Sequence, residues 1–192
     1  LSPLSQTDTK ALVESLATAV ELPDDVTDEV IARSGGNPLY AEEFCRMVAD
    51  RGGWDDGDAS VPATVHALIA ARLDTLDPER KILLHDAAVV GKVFWSGALA
   101  AMGKTDKQSV EMALHELARK ELVRRQRNSS VAGETEYSFW HVLVRDVAYN
   151  EIPRAKRADK HVAAAEWIEQ RAEERVSDHA EFLVHHYEQA LE

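Results

Sequence analysis

The segment 136–149 restricts the possible folds most, because its hydrophobic period changes from that of a strand to that of a helix. Polar and aromatic residues alternate over 136–139, which is typical of a strand. The apolar residues that follow recur at helical spacing, at Leu143, Val144, Val147 and Ala148. His141 lies at the junction, where the first backbone N–H groups of a helix lack intrahelical partners and favour a nearby anion. The sequence offers two interpretations of His141, an anion-binding side chain or a polar residue that closes a strand.

The residues around this junction predict a fixed order of helices and strands. We predict, in order, a helix over 77–91, an extended piece at 92–94, helices capped by Ser96 and Asp106, and strands over 122–127 and 135–139. The residues 128–133 between the two strands predict a hairpin with a long tip. Helix, short strand, two helices and a hairpin is the order of a winged-helix domain, a helix-turn-helix variant with an attached β-hairpin.

Helical patterns dominate on both sides of this region. We predict four earlier helices, which begin near Ser5, Asp24, Asn37-Pro38 and Pro62. The inward face of the fourth helix is predicted to carry Val65, Leu68, Ile69, Arg72 and Leu73. That of the fifth helix is predicted to carry Ile82, Leu83, Ala87 and Val90. After Pro153, two amphipathic helices over about 154–174 and 177–191 favour the start of a TPR-like helical repeat. The predicted fold class is mainly α, with domains at 1–75, 76–152 and 153–192.

Composition excludes several classes of protein. The chain has 34 acidic and 22 basic side chains and a net charge of −12, the wrong sign for a general nucleic-acid-binding surface. The single cysteine, Cys45, excludes an internal disulfide framework. The sequence has neither a signal-like start nor an apolar run of about 20 residues, so we expect a soluble, cytoplasmic protein. The chain starts at Leu1 without methionine and stops within a helical pattern, so we expect a piece of a longer protein.

Two stretches resemble a known family. Arg-Ser-Gly-Gly-Asn-Pro-Leu-Tyr-Ala-Glu-Glu at 33–43 resembles the glycine-x-proline segment in the helical lid of the STAND class of signal-transduction ATPases, relatives of AAA+ and NB-ARC proteins. Trp-His-Val-Leu-Val-Arg-Asp-Val-Ala-Tyr at 140–149 resembles the methionine-histidine-aspartate motif that ends their winged-helix domain. Three shorter phrases, at 1–4, 67–72 and 185–187, look like the bacterial branch that accompanies class III nucleotide cyclases and LuxR-type regulators.

This resemblance implies that 1–75 is a lid bundle and that two residues contact a nucleotide. It implies that Pro38 packs against adenine and that His141 reaches the phosphates of ATP or ADP. Val142 departs from the motif, because it stands where the family has an aspartate. The sequence contains no G-x-x-x-x-G-K-[ST] phosphate loop, so we expect the nucleotide-binding core to precede Leu1 and this chain to contain no catalytic residues. The output domain implied is a nucleotide cyclase or a transcription factor.

Other clusters suggest alternative functions. The basic cluster comprises Arg119, Lys120, Arg124, Arg125 and Arg127, where winged-helix proteins often touch DNA. Glu111, Glu116 and Glu121 interleave with it, which favours a solvated or domain-packing face. An autonomous winged-helix DNA-binding regulator is nevertheless the second interpretation of the chain, and a structural helical-repeat scaffold is the third.

Two groups of residues suggest a metal site. His179, His185 and His186 have metal-ligand chemistry, but adjacent residues point to different sides of a helix, which favours surface or packing roles. The acidic residues 55–58 lack the alternating ligands of a calcium loop, which favours a solvated loop.

Overall fold

The computed structural model describes residues 2–17, 22–54, 61–172 and 180–191. This part of the chain is mainly helical and contains one three-stranded antiparallel sheet. The chain divides into two compact units, Leu1–Leu76 and Asp77–Glu192. None of the helices described is both long enough and apolar enough to cross a membrane. The acidic residues Asp55, Asp56 and Asp58, together with His179, lie outside the described residues.

The first unit is built from four helices. They are α1 (Gln6–Leu16), α2 (Asp24–Ser34), α3 (Pro38–Arg51) and α4 (Val65–Asp74). The predicted caps of α1 and α3 are confirmed, because the side chains of Ser5 and Asn37 accept the N–H groups of Asp8 and Leu39. The core of the unit lies between these helices, around Val30, Phe44, Met47, Val48 and Leu68.

The predicted start of α4 at Pro62 is wrong. Thr64 caps the helix instead, and its hydroxyl oxygen accepts the N–H of Ala67 at 3.2 Å. The Pro62 carbonyl accepts the Tyr40 hydroxyl at 2.5 Å. The hydrogen-bond ladder of α4 begins at the Thr64 carbonyl, which accepts the N–H of Leu68 at 3.1 Å, while the Pro62 carbonyl contacts α3.

A buried ion cluster joins α3 to α4. The guanidinium of Arg72 donates to Glu43 at 2.5 Å and to Asp50 at 2.9 Å. The side chains of Arg72 and Glu43 are each 1% exposed. Arg46, which is partly exposed, donates to the other carboxylate oxygen of Glu43 at 3.0 Å. Arg72 therefore belongs to the inward face of α4, as predicted, because carboxylates of α3 compensate its charge there.

Gly36 fixes the N-terminal segment beside the start of α3. Its φ is +79°, and a Cβ atom at this position would lie 2.4 Å from the carbonyl oxygen of Leu4. The N–H of Leu4 donates to the Gly36 carbonyl at 2.9 Å. Only glycine combines this left-handed backbone with so close an approach of another chain segment.

The second unit contains the sheet and six helices within the described residues. They are α5 (Pro78–Val90), β1 (Val93–Trp95), α6 (Ser96–Gly103), α7 (Lys107–Arg119), β2 (Val123–Arg125), β3 (Glu136–Phe139), α8 (Val142–Asn150), α9 (Arg154–Ala172) and α10 (Ala180–Leu191). The element order predicted over 77–149 is thus found. The strands are arranged β1-β3-β2, with Val93 opposite Ser138 and Val123 opposite Phe139.

Local signals position most of these elements correctly. The carboxylate of Asp106 caps α7 by accepting the N–H of Ser109 at 2.8 Å, as predicted. The predicted inward position of Ile82 is wrong, because its side chain is 55% exposed. The adjacent residues Leu83 and Leu84 are buried instead, so the buried face of α5 is turned away from Ile82.

The helices α9 and α10 pack within the second unit. The ring of Trp167 on α9 stacks on Trp95 of β1 with a centroid distance of 5.7 Å. Glu134, in the hairpin loop, accepts from Arg171 of α9 at 3.0 Å and from Lys107 of α7 at 2.8 Å. The same carboxylate accepts the N–H of Gly97 at 3.1 Å. These contacts attach α9 to the sheet, the hairpin loop and the start of α6.

Candidate functional site

His141 joins β3 to α8 and caps the helix. Its backbone is extended, with φ −134° and ψ 147°, and its Nδ1 accepts the N–H of Leu143 at 3.1 Å. A nitrogen that accepts a hydrogen bond carries no proton, so the neutral imidazole carries its proton on Nε2. The cap therefore fixes the tautomer and leaves Nε2–H as the donor that the ring can direct to another group.

The residues on either side of His141 are apolar and exposed. Trp140 is 39% exposed and Val142 is 45% exposed, while His141 itself is half-buried. Charged residues are the usual occupants of such positions on a surface, whereas exposed apolar neighbours are common where a surface meets a partner or ligand. The described surface thus presents an imidazole donor between two apolar side chains.

The opposite face of α8 holds the capped end in place. Val144, Val147 and Ala148 are buried in the core of the second unit. Arg145 donates its Nε–H to the carbonyl of Ala88 on α5 at 3.0 Å. The packing of α8 fixes the backbone at His141, and the cap hydrogen bond from Leu143 orients its ring.

Pro38 lies at the first position of α3 in the first unit, and its ring is exposed. Asn37 caps the helix at this point, and the left-handed residues Gly35 and Gly36 precede it. The ring is consequently a rigid apolar surface that loses no side-chain entropy when a flat group packs against it. Pro38 and His141 belong to different compact units, and each is described within its own unit.

The basic cluster lies on the end of α7 and on β2. Arg119, Arg124, Arg125 and Arg127 are exposed, and Lys120 is half-buried. Arg124 donates its Nε–H to the hydroxyl of Ser138 on the adjacent strand at 3.1 Å. Glu116 is held by Arg80 at 2.7 Å. The exposed arginines therefore present positive charge on one edge of the second unit.

Histidines of α9 and α10 form a buried chain that the sequence did not predict. His161 and His186 are fully buried, and their Nδ1 atoms are 2.7 Å apart. The Nε2 of His161 lies 2.9 Å from the hydroxyl of Tyr149. One consistent assignment has the Tyr149 O–H donating to His161 Nε2 and the His161 Nδ1–H donating to His186. In this assignment both imidazoles are neutral.

Burial lowers the pKa of both imidazoles. The pKa of His161 falls to about 4 and that of His186 to about 3, chiefly because the charged forms lose their hydration. The nearby charges of His185, Arg145 and Arg157 act in the same direction on His161. A weak interaction with the Val90 backbone acts in the other direction on His186, whose Nε2 has no close hydrogen-bond partner among the described residues. Among the described residues, no group of three or more side chains could hold a metal ion.

Comparison with known proteins identifies one distant relative. No family model matches the chain. The chain is similar to a protein of Rhizobium meliloti (strain 1021) named "Uncharacterized protein R02095". The two are 28% identical over an alignment of 148 residues, which covers 73% of this chain. The chain spans 14% of the length of that relative.

Proposed function

We propose that the chain is the regulatory part of a nucleotide-dependent signalling switch of the STAND class. In this proposal the first unit is the helical lid, and 77–152 is a winged-helix domain. The helices α9 and α10 begin a TPR-like repeat. The element order of the second unit supports this assignment, because a three-helix core with a β-hairpin is the winged-helix arrangement. The whole protein would carry a nucleotide cyclase or a transcription factor as its output domain.

The observation that carries the proposal is the geometry of His141. Its Nδ1 is used by the helix cap, so Nε2–H is the donor available to a phosphate oxygen. The exposed Trp140 and Val142 are suited to contact with the nucleotide-binding core, which would precede Leu1. Pro38 would pack on the adenine ring, and most of the affinity for ATP or ADP would come from phosphate contacts in that core. The missing phosphate loop makes this chain alone a weak nucleotide binder.

The proposed mechanism is a change of domain contact. With ADP bound, His141 donates to a phosphate and holds the winged-helix domain over the nucleotide. When that contact is lost, the lid and the downstream repeats rotate, and the output domain is released. A charge-assisted hydrogen bond contributes roughly 1.5–3 kcal/mol, which corresponds to about a 10- to 150-fold change in a two-state equilibrium.

Replacing His141 in the longer protein is expected to accelerate ADP release. His141→Asn keeps a capping oxygen for the Leu143 N–H, because asparagine is among the best N-cap residues, but it lacks the Nε2 donor. We expect its melting temperature to stay close to that of the wild type and its ADP release to be about 10- to 150-fold faster. His141→Ala loses the cap as well, and should also unfold more easily, by about 0.5–2 kcal/mol.

Two measurements on the same samples separate capping from phosphate binding. The first is stopped-flow release of a fluorescent ADP analogue, and the second is thermal unfolding. His115→Ala is the matched control, because His115 is an exposed histidine of the same unit on α7. If His141→Asn released ADP at the wild-type rate, His141 would have only a capping role and the switch proposal would lose its main support.

A DNA-binding regulator is the second candidate, favoured by the four exposed arginines of the basic cluster. Because the net charge is −12, we expect weak, unselective binding to duplex DNA. Fluorescence anisotropy at increasing salt measures the number of phosphates contacted, since log K changes by about −0.9 per phosphate. Tight binding with a steep slope, abolished by glutamate at Arg124, Arg125 and Arg127, would favour the DNA-binding function. The control variant carries glutamate at the exposed residues Lys104, Arg154 and Lys156, which changes the net charge by the same amount outside the basic cluster.

A further inference from the structure

An open pocket of about 310 Å³ lies between α5, α6 and α7 of the second unit. Most of its wall is apolar and consists of Ile82, Leu83, Leu99, Val110 and Ala113. Small-molecule sites in proteins are concave, start at about 300 Å³ and combine an apolar lining with a few polar groups. The pocket has this character. Its position also accounts for Ile82, the apolar side chain of α5 that stands exposed at the pocket.

One buried carboxylate, that of Asp86, lines this pocket. The residue is 2% exposed, and Lys160 of α9 donates to its Oδ1. Among the described residues, this is the hydrogen bond that the carboxylate accepts, so Oδ2 is available to a ligand. Burial raises the pKa of Asp86, and the hydrogen bond from Lys160 lowers it. A buried carboxylate with an unused acceptor oxygen gains free energy when a donor reaches it.

The charges at the pocket are balanced between its lining residues and Lys160. Glu79 stands at the rim with an exposed side chain, and Arg80 is bound to Glu116 at 2.7 Å. Lys160 compensates one charge at Asp86. The two carboxylates of Glu79 and Asp86 balance the two cations, and both cations are paired, Arg80 with Glu116 and Lys160 with Asp86, so neither is an unpaired charge that would repel an ammonium group.

We propose that this pocket binds a small apolar amine, whose ammonium group donates to Asp86 Oδ2 while its apolar body packs against Leu83, Leu99 and Val110. The inference goes beyond the switch function and does not depend on it, because every residue involved belongs to the second unit. Thr105 and Ser109, which carry hydroxyl groups, also line the cavity.

The test uses 2-phenylethylamine as the probe and 2-phenylethanol as its uncharged analogue, with the 192-residue chain labelled for methyl NMR. We expect saturable shifts at the methyl groups of Ile82, Leu83, Leu99 and Val110, with tighter binding of the amine than of the alcohol. Asp86→Asn should weaken binding of the amine by about 10- to 150-fold and change binding of the alcohol far less.

Two further variants make the result independent of the folding of Asp86→Asn. Ala113→Leu fills the cavity and should abolish the shifts caused by both probes. Glu79→Gln removes a rim carboxylate and is the matched charge control, with an effect of less than about twofold because solvent and salt screen an exposed charge. The inference is overturned if the wild type shows no saturable shift. Equal amine affinity in a folded Asp86→Asn variant would also overturn it.

Discussion

Replacing Arg72 by methionine is expected to lower the free energy of unfolding of the first unit by about 3–5 kcal/mol. The guanidinium is buried and compensates the carboxylate of Glu43, which is equally buried, and that of Asp50. Methionine fills a similar volume, but among the described residues it leaves the partly exposed Arg46 as the charged partner of the Glu43 carboxylate. An uncompensated charge in the core costs more than the ion pair contributed, because the dehydrated carboxylate has no equivalent partner.

Urea denaturation followed by Trp54 fluorescence measures this effect, because the Trp54 ring packs against Phe44 of the same core at 5.6 Å. The control is Glu29→Gln, which breaks the exposed Arg33–Glu29 pair and should change stability by about 0–1 kcal/mol. The double variant Arg72→Met/Glu43→Met removes both charges and should recover much of the loss. A loss below about 1 kcal/mol in Arg72→Met would show that the ion cluster is hydrated and contributes little.

Acidification from about pH 6.5 towards pH 5 is expected to destabilise the second unit before ordinary carboxylates begin to titrate. In the unfolded chain His161 and His186 would take up protons near pH 6.5, whereas burial lowers their folded pKa values to about 4 and about 3. The unfolded state therefore binds more protons throughout this window, and the free energy of unfolding falls as the pH falls. The slope approaches about 1.4 kcal/mol per pH unit for each histidine.

The measurement is urea denaturation at a series of pH values, followed by the fluorescence of the stacked Trp95 and Trp167. A Trp54→Phe background removes the signal of the first unit. The variant His186→Leu should reduce the slope by about half, whereas the control His115→Ala, at an exposed histidine, should leave it unchanged. A flat profile between pH 6.5 and pH 5 would mean that both imidazoles are hydrated and titrate normally in the folded protein.

The lowered pKa values of His161 and His186 also affect the contact that attaches α9 and α10 to α8. Tyr149 of α8 is joined through His161 of α9 to His186 of α10, so three helices share one chain of hydrogen bonds between neutral groups. Protonation of His161 would place a charge near Arg145 and Arg157, and protonation of His186 would place one near Arg145. We expect the contact between α8 and the last two helices to be the first part of the second unit that acid weakens.

The element order and several helix starts could be predicted from the sequence because their causes are local. The change of period around His141 marks the end of β3 and the start of α8 within a few residues. Asn37 and Asp106 cap helices with side-chain oxygens that reach backbone N–H groups two or three residues ahead. Such signals act over one turn of helix, so neighbouring residues contain all the information that they require.

The start of α4 and the position of Ile82 show where local signals mislead. Pro62 is a good first residue for a helix, but its carbonyl is bound by Tyr40, which lies 22 residues earlier in the chain. Ile82 has the spacing of a core residue of α5, yet the arrangement of α6 and α7 leaves it exposed at a pocket. In both cases a contact between distant segments decided between two locally acceptable structures.

The sequence by itself determined the mainly helical character, the antiparallel hairpin and the place of His141 at the start of a helix. Only the tertiary structure decided that Arg72 meets Glu43, that His161 meets His186, and that Asp86 lines a cavity. Hydrophobic period and capping depend on residues within a turn or two, so they can be recognised along the chain. The partner of a buried charge or imidazole depends on how separate helices pack, and no local period records that arrangement.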